Sequence, residues 1–252
     1  MLRSRLTTVV GVETVTLAQS ADRVAAQDIS AARANPPLPN TAVDGYGFAG
    51  GRAEGLHRLP LVAGRAAAGD APAKVPEGHA IRVLTGAALP QGVDTVILQE
   101  DIADDAGHIT FHGPLKRGAN TRRAGEDVAA GDVILEAGRV ITSADLALLS
   151  AAGRAEIMVR KRLRVGVLST GDELVEAGET AAEGQIYDAN RPMLLALLAQ
   201  LGHEVVDLGR APDKRDALRQ RLDEAAKRVD AILTSGGASA GDEDHVSALL
   251  EE

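Results

Sequence analysis

The stretch Leu163–Thr170, LRVGVLST, decides the fold. It is a nearly unbroken apolar run, the pattern of a strand covered on both faces rather than one. Downstream of it, helical and strand patterns alternate. NRPMLLALLAQLG, 190–202, has helical periodicity, with Asn190 expected as its cap and Gly202 as its stop. HEVVDLG, 203–209, reads as a second strand and DKRDALRQRLDEAAKR, 213–228, as a second helix with Leu218, Leu222, Ala225 and Ala226 on one face. VDAILTSGG, 229–237, is a third strand, and DEDHVSALLEE, 242–252, opens a third helix. The order β-α-β-α-β-α implies a parallel, three-layer α/β sheet. Three strands and a short last helix make a small sheet of this kind, so the domain is expected to be incomplete in this sequence.

Upstream the texture changes. Residues 46–140 are rich in Gly and Pro, with short apolar runs at 59–63, 80–84, 95–99, 109–111 and 133–135 separated by turn signals, the signature of a small β-rich module. TSADLALLSAAG, 142–153, reads as a helix capped by Thr142 or Ser143 and closed by Gly153. VTLAQSADRVAAQD, 15–28, places Leu17, Ala21, Val24 and Ala25 at helical spacing, and the proline-bearing ANPPLPNTAVDG after it must be extended. The expected class is therefore multidomain α/β: a helical or extended segment, an inserted small β-rich domain, and a partial three-layer parallel α/β domain. The expected regions are 1–45 with 136–161, then 46–135, then 162–252.

Composition narrows the function classes. The chain of 252 residues has 45% hydrophobic but only 2% aromatic residues, so its core is built from Ala, Val, Leu and Ile. A net charge of −9 argues against nucleic acid as a partner, and the absence of Cys excludes disulfides, thiolate metal sites and thiol catalysis. No apolar run reaches bilayer length, and a cytoplasmic protein without membrane contact is expected. The six histidines show no metal-ligand spacing.

Open α/β sheets bind ligands at the carboxyl ends of their strands. Two loops leave that edge: LSTGDEL, 168–174, and TSGGASAGDED, 234–244. Ser169, Thr170, Gly171, Ser235, Gly236, Gly237 and Ser239 supply hydroxyls and close backbone approach, the means of holding phosphate without a basic side chain. Asp172, Glu173, Asp242, Glu243 and Asp244 make sense beside phosphate if they hold Mg²⁺. The competing reading is that the glycines only turn the chain and the acids only cap helices. In QIYDANRP, 185–192, Asp188 is open to either role. NTAVDGYGF, 40–48, holds Asp44 on a turn, with Tyr46 and Phe48 readable as a hydrophobic plug. RVLTGAALP, 82–90, sets Thr85-Gly86 after a strand, and RRAGEDV, 122–128, is either a salt-bridged loop or a source of cations for an anion.

Taken in order, NTAVDGYGF, RVLTGAALPQGVDTVILQED, RRAGEDV, VGVLSTGDEL, GQIYDANRPML and TSGGASAGDED resemble the molybdopterin molybdenumtransferase family, MoeA, seen also as the E domain of gephyrin. The resemblance spans the chain. It implies an enzyme of molybdenum cofactor biosynthesis that takes adenylylated molybdopterin and molybdate, cleaves the adenylate with Mg²⁺, releases AMP and inserts molybdenum into the dithiolene. By position it implies catalytic roles for Asp44, Thr85, Glu173 and Asp242, with Asp127 and Asp213 as further acids. It implies molybdopterin binding by Ser169, Thr170, Gly171, Asp188, Ser235, Gly236, Gly237 and Ser239. It implies magnesium at Asp172, Asp242 and Asp244. It also implies a homodimer whose site joins the α/β domain of one subunit to the Asp44 and Thr85 loops of the other, with other proteins of the pathway as candidate partners. The sequence departs from the family in Thr41-Ala42-Val43 before the turn, in Gly47 after it, and in lacking the family's later lysine-bearing and C-terminal β segments. A C-terminally truncated member is therefore expected to bind substrate weakly and turn over little. The alternative is a non-catalytic molybdopterin-binding or scaffold module.

Overall fold

The computed structural model describes residues 7–236 and 245–250. Its internal contacts divide the chain into two compact units, one made of 16–21 and 27–157, the other of 1–15, 22–26 and 158–252.

The first unit is built on a six-stranded sheet: β1 (Gly45–Phe48), β2 (Arg52–Ala66), β3 (Ala80–Val83), β4 (Thr95–Leu98), β5 (Ile102–Asp105) and β6 (His108–Leu115). Their order across the sheet is β4-β1-β3-β2-β6-β5. Neighbours run antiparallel except β2 and β3, which are parallel. Alternation along the strands feeds separate apolar clusters. Tyr46, Phe48, Leu59, Ala80, Ile97, Ile109 and Phe111 form one, with Phe48 and Phe111 stacked at 5.4 Å between ring centroids. Val75, Ile81, Val83, Val93 and Val96 with Ala66 and Ala87 form another. Tyr46 and Phe48 are therefore sheet core and not a plug at a junction.

Helix α1 (Ser143–Ala151) belongs to the same unit and is capped by Thr142, whose hydroxyl accepts from the Asp145 amide while Asp145 accepts from the Thr142 amide. Thr142→Ala is expected to cost about 1 kcal/mol, a fall of roughly 2–4 °C in the thermal midpoint, read by calorimetry.

The helix expected over 15–28 is not formed. Val12–Thr16 is a strand, Leu17–Gln19 a single 3-10 turn, and Asp22 takes a left-handed φ of 60° that ends any helical run. Arg23 instead turns back to Glu13 and to the Arg160 carbonyl. Local spacing favours a helix, and these long-range partners override it.

The second unit has the expected parallel sheet. Strands β7 (Arg164–Thr170), β10 (Glu204–Ala211) and β11 (Ala231–Ser235) lie in the order β10-β7-β11. Between β7 and β10 come the short paired strands β8 (Leu174–Val175) and β9 (Ile186–Tyr187), then helix α2 (Asn190–Gln200). Helices α3 (Arg215–Ala226) and α4 (His245–Leu250) follow β10 and β11. Strand β7 is central and buried from Val165 to Thr170, as its continuous apolar run requires. Leu168, Ala211, Leu218 and Val246 close the core between sheet and helices. Burying each leucine or valine among them is worth about 1.5–3 kcal/mol. No helix among the described residues is long and apolar enough to cross a membrane.

Candidate functional site

In the α/β unit, β7 pairs in parallel with both neighbours, and Ser169 lies opposite Ser235. The loops after β7 and β11 therefore leave the same carboxyl edge of the sheet. The chain crosses from one side of β7 to the other between β10 and β11, so those loops flank the point where the winding reverses, the ligand crevice of open α/β sheets. They also touch. A Cβ on Gly236, whose φ is +101°, would stand 2.5 Å from the Thr170 carbonyl oxygen and 2.6 Å from its hydroxyl. Only glycine allows that approach.

Ser169 and Thr170 are buried, at 0% and 4% exposure, and neither hydroxyl has a hydrogen-bond partner among the described residues. An unpaired buried hydroxyl costs about 1–3 kcal/mol, so the Thr170 hydroxyl at this sheet edge favours a polar ligand, while that of Ser169 faces the Asp188 carboxyl. Glu173 folds back over the turn: a Cβ on Gly171 would lie 2.5 Å from Glu173 Oε2. Asp172 Oδ1 accepts from the Asp213 amide at 3.2 Å, which joins the loops after β7 and β10. Asp172, Glu173 and Asp213 are all exposed at this rim. Gly237, Ser239, Asp242 and Asp244, expected to complete it, lie outside the described residues.

Asp188 is deeply buried and committed within the protein. Its Oδ1 accepts from the Arg191 amide at 3.1 Å and its Oδ2 from Arg191 Nε at 3.2 Å. It is thus Asp188, rather than Asn190, that satisfies an amide at the start of α2; Asn190 is the first helical residue. Burial alone would raise the Asp188 carboxyl. The adjoining Ser169 hydroxyl together with the Arg191 amide and guanidinium outweigh it and hold the carboxyl below its ordinary value. The Ser169 hydroxyl stands beside that carboxylate without meeting hydrogen-bond geometry.

Arg191 itself carries no signal in the sequence. Its guanidinium also meets Asp207, with Nη1 at 2.7 and 2.6 Å from the two oxygens, and Glu176 through Nη2. The residue type and its place one position into a helix are ordinary, and its partners come from three separate segments.

In the β-rich unit, the Asp44 and Thr85 turns are brought together. Asp44 Oδ1 accepts from both the Thr85 amide and the Thr85 hydroxyl, each at 2.6 Å. The Thr85 hydroxyl first and the Thr85 amide next hold Asp44 below its ordinary carboxyl range, against burial and with help from Arg82. The 122–128 stretch joins the same neighbourhood, since Thr121 pairs with Thr41 and the Gly86 amide donates to the Thr41 carbonyl at 2.9 Å. Arg122 is engaged by Glu126 and Asp127, the salt-bridged reading of that loop. Thr85→Val removes the hydroxyl that contributes most, so the Asp44 carboxyl is expected to rise toward the ordinary value of 3.8. A carbon-detected NMR titration reads this, and an unmoved titration would contradict the pairing.

A Mg²⁺ ion suits this donor set. The rim of the α/β unit offers hard carboxylate oxygens at Asp172 and Glu173, and Mg²⁺ takes one or two carboxylates with phosphate and water filling the rest. Among the described residues no group of three or more His, Cys, Asp or Glu side chains could hold a metal alone.

Residues 1–153 match the family described as the MoeA N-terminal region (domain I and II), and residues 166–252 match the one described as a probable molybdopterin binding domain. The chain is 42% identical over 244 residues to the molybdopterin molybdenumtransferase of Haemophilus influenzae, a stretch covering 95% of this chain and 60% of that protein. To the protein of the same name from Synechococcus elongatus it is 35% identical over 251 residues, 95% of this chain and 62% of that one. A crystal structure of a molybdopterin biosynthesis MoeA protein from Pyrococcus horikosii superposes with a TM-score of 0.84 at 31% identity, covering 99% of this chain and 64% of that one. The chain thus spans about 60% of the length of the curated relatives it matches.

Proposed function

Since the chain belongs to the MoeA family, we propose that it acts in molybdenum cofactor biosynthesis, binding adenylylated molybdopterin and molybdate at the carboxyl rim of its α/β sheet and releasing AMP. The observation that carries this reading is the mutual contact of the loops after β7 and β11, where Gly236 presses on Thr170, whose buried hydroxyl has no partner among the described residues.

In this proposal the Ser169, Thr170 and Ser235 hydroxyls and the amides of the Gly171 turn donate to phosphate oxygens of the substrate. Asp172 and Glu173 would hold Mg²⁺, with Asp242 and Asp244 as further candidate donors. When bound, the ion neutralises charge on the scissile phosphoanhydride. Asp44 has a different part. A carboxylate held below its ordinary value is a weak base near neutral pH and a strong fixed acceptor, so Asp44, locked by Thr85, orients a substrate donor rather than shuttling a proton. A homodimer belongs to the same reading, and sedimentation velocity at a mass near twice 26.1 kDa would support it.

The test is binding of adenylylated molybdopterin by the 252-residue chain with and without Mg²⁺, followed by AMP release on addition of molybdate. Mg²⁺-strengthened binding with slow AMP release is expected. Binding that ignores Mg²⁺, or no binding, would contradict the reading.

A further inference from the structure

We propose that Arg191 is a positioning residue, a clasp that holds the loop between β7 and α2 closed and so fixes Gly171, Asp172 and Glu173 at the sheet rim. This rests on the proposed function only for what the rim binds.

The loop runs from Gly171 to Asp188. Its limbs are zipped by the pairing of Leu174 with Ile186 and Val175 with Tyr187, and by Ile186 and Asp188 amides donating to Glu173 and Val175 carbonyls at 2.8 and 2.9 Å. Two paired residues on each side are a short ladder, marginal when standing alone. Arg191 acts where that ladder ends. Glu176 follows β8 on the outgoing limb, Asp188 follows β9 on the returning limb, and one guanidinium meets both. Its Nη1 meets Asp207 on β10, and Asp207 Oδ1 also accepts from the Gly209 amide at 2.8 Å. The clasp is therefore tied to the sheet as well as to the loop.

The burial sets the consequence. The Arg191 side chain is 9% exposed and that of Asp188 3%, while those of Glu176 and Asp207 are about half exposed. Asp188 needs a cation, because a buried carboxylate left unpaired is strongly unfavourable. The others do not need one for solvation, so their convergence serves geometry. Arginine suits the task because its planar fork donates in several fixed directions, whereas a lysine ammonium is a point charge on a flexible stem.

Arg191→Lys separates charge from geometry. The ammonium can neutralise Asp188 and cannot span all three carboxylates. The expected result is a thermal midpoint close to that of the unaltered chain. Amide hydrogen exchange should become at least tenfold faster in peptides covering 171–188, with strands β7 and β10 unchanged. The dissociation constant for AMP in the presence of Mg²⁺ should rise at least tenfold. Unchanged exchange in the loop would overturn the proposal, and so would acceleration spread evenly through the unit, which is what a merely structural ion pair would give. Glu176→Gln is the second variant. It removes a half-exposed partner, leaves Asp188 paired and frees one limb, so faster exchange confined to the segment after β8 is expected, and none there would again overturn the clasp. If the unaltered chain bound no AMP, the proposed function would fall, while the exchange comparison would still decide the role of Arg191.

Discussion

Gly45→Ala is expected to unfold the β-rich unit at a midpoint lower by roughly 10 °C, reflecting a loss of about 3 kcal/mol. The argument is steric. Gly45 sits on β1, an interior strand next to the edge strand β4 of the six-stranded sheet, paired with Val83 on one side and Leu98 on the other. A Cβ there would stand 2.0 Å from the Ile97 carbonyl oxygen and 2.9 Å from its carbon. Both atoms are backbone in a neighbouring strand, so relief requires the ladder to move, and the Asp44 turn moves with it. Gly47, on the same face two residues on, makes the internal control. Its Cβ would meet Val93 Cγ1 at 2.7 Å, a side-chain atom rather than a ladder carbonyl, and the Gly47→Ala midpoint is expected to fall by less. Scanning calorimetry of both variants reads the difference. A Gly45→Ala midpoint within about 2 °C of the unaltered protein would contradict the packing described.

The second large effect is on binding. Gly236→Ala places a methyl group 2.5 Å from the Thr170 carbonyl oxygen and 2.6 Å from its hydroxyl, at a φ of +101°. The left-handed backbone alone costs an L-residue about 1–2 kcal/mol, and the clash adds to it. The loops after β7 and β11 must then separate. A loss near 2.7 kcal/mol in the shared site corresponds to about a hundredfold in affinity. Titration calorimetry with AMP and Mg²⁺ is expected to show that loss, with the β-rich unit melting where it did before. Undiminished affinity would mean that the contact between these loops has no part in the site.

How local its cause is decides whether a feature is legible in the sequence. β7, β10, β11, α2 and α3 are continuous apolar or periodic runs, and each forms close to where its pattern predicts. The stretch 15–28 has helical spacing too, yet a left-handed Asp22 and the pull of Glu13 and Arg160 on Arg23 decide otherwise. β1 reads as a turn because it holds two glycines. The glycines are there because Ile97 on the neighbouring strand and Val93 before it press on that face. At the site, hydroxyls and glycines after two strands point to a rim without any resemblance. The pairing of Asp44 with Thr85 does not emerge from spacing, since the residues are separated by 41 positions and meet only through the sheet. Arg191 is hidden for the same reason in stronger form, because Glu176, Asp188 and Asp207 converge on it only after the loop closes and α2 packs on β10.

The most direct test is an amide NMR map of the whole 252-residue chain titrated with AMP and Mg²⁺. The account predicts the largest shifts at Ser169 to Glu173 and at Ser235 and Gly236, on the carboxyl rim of the parallel sheet. Shifts centred instead on the opposite edge, where Arg164 and Asp230 pair at the start of β7, would contradict it.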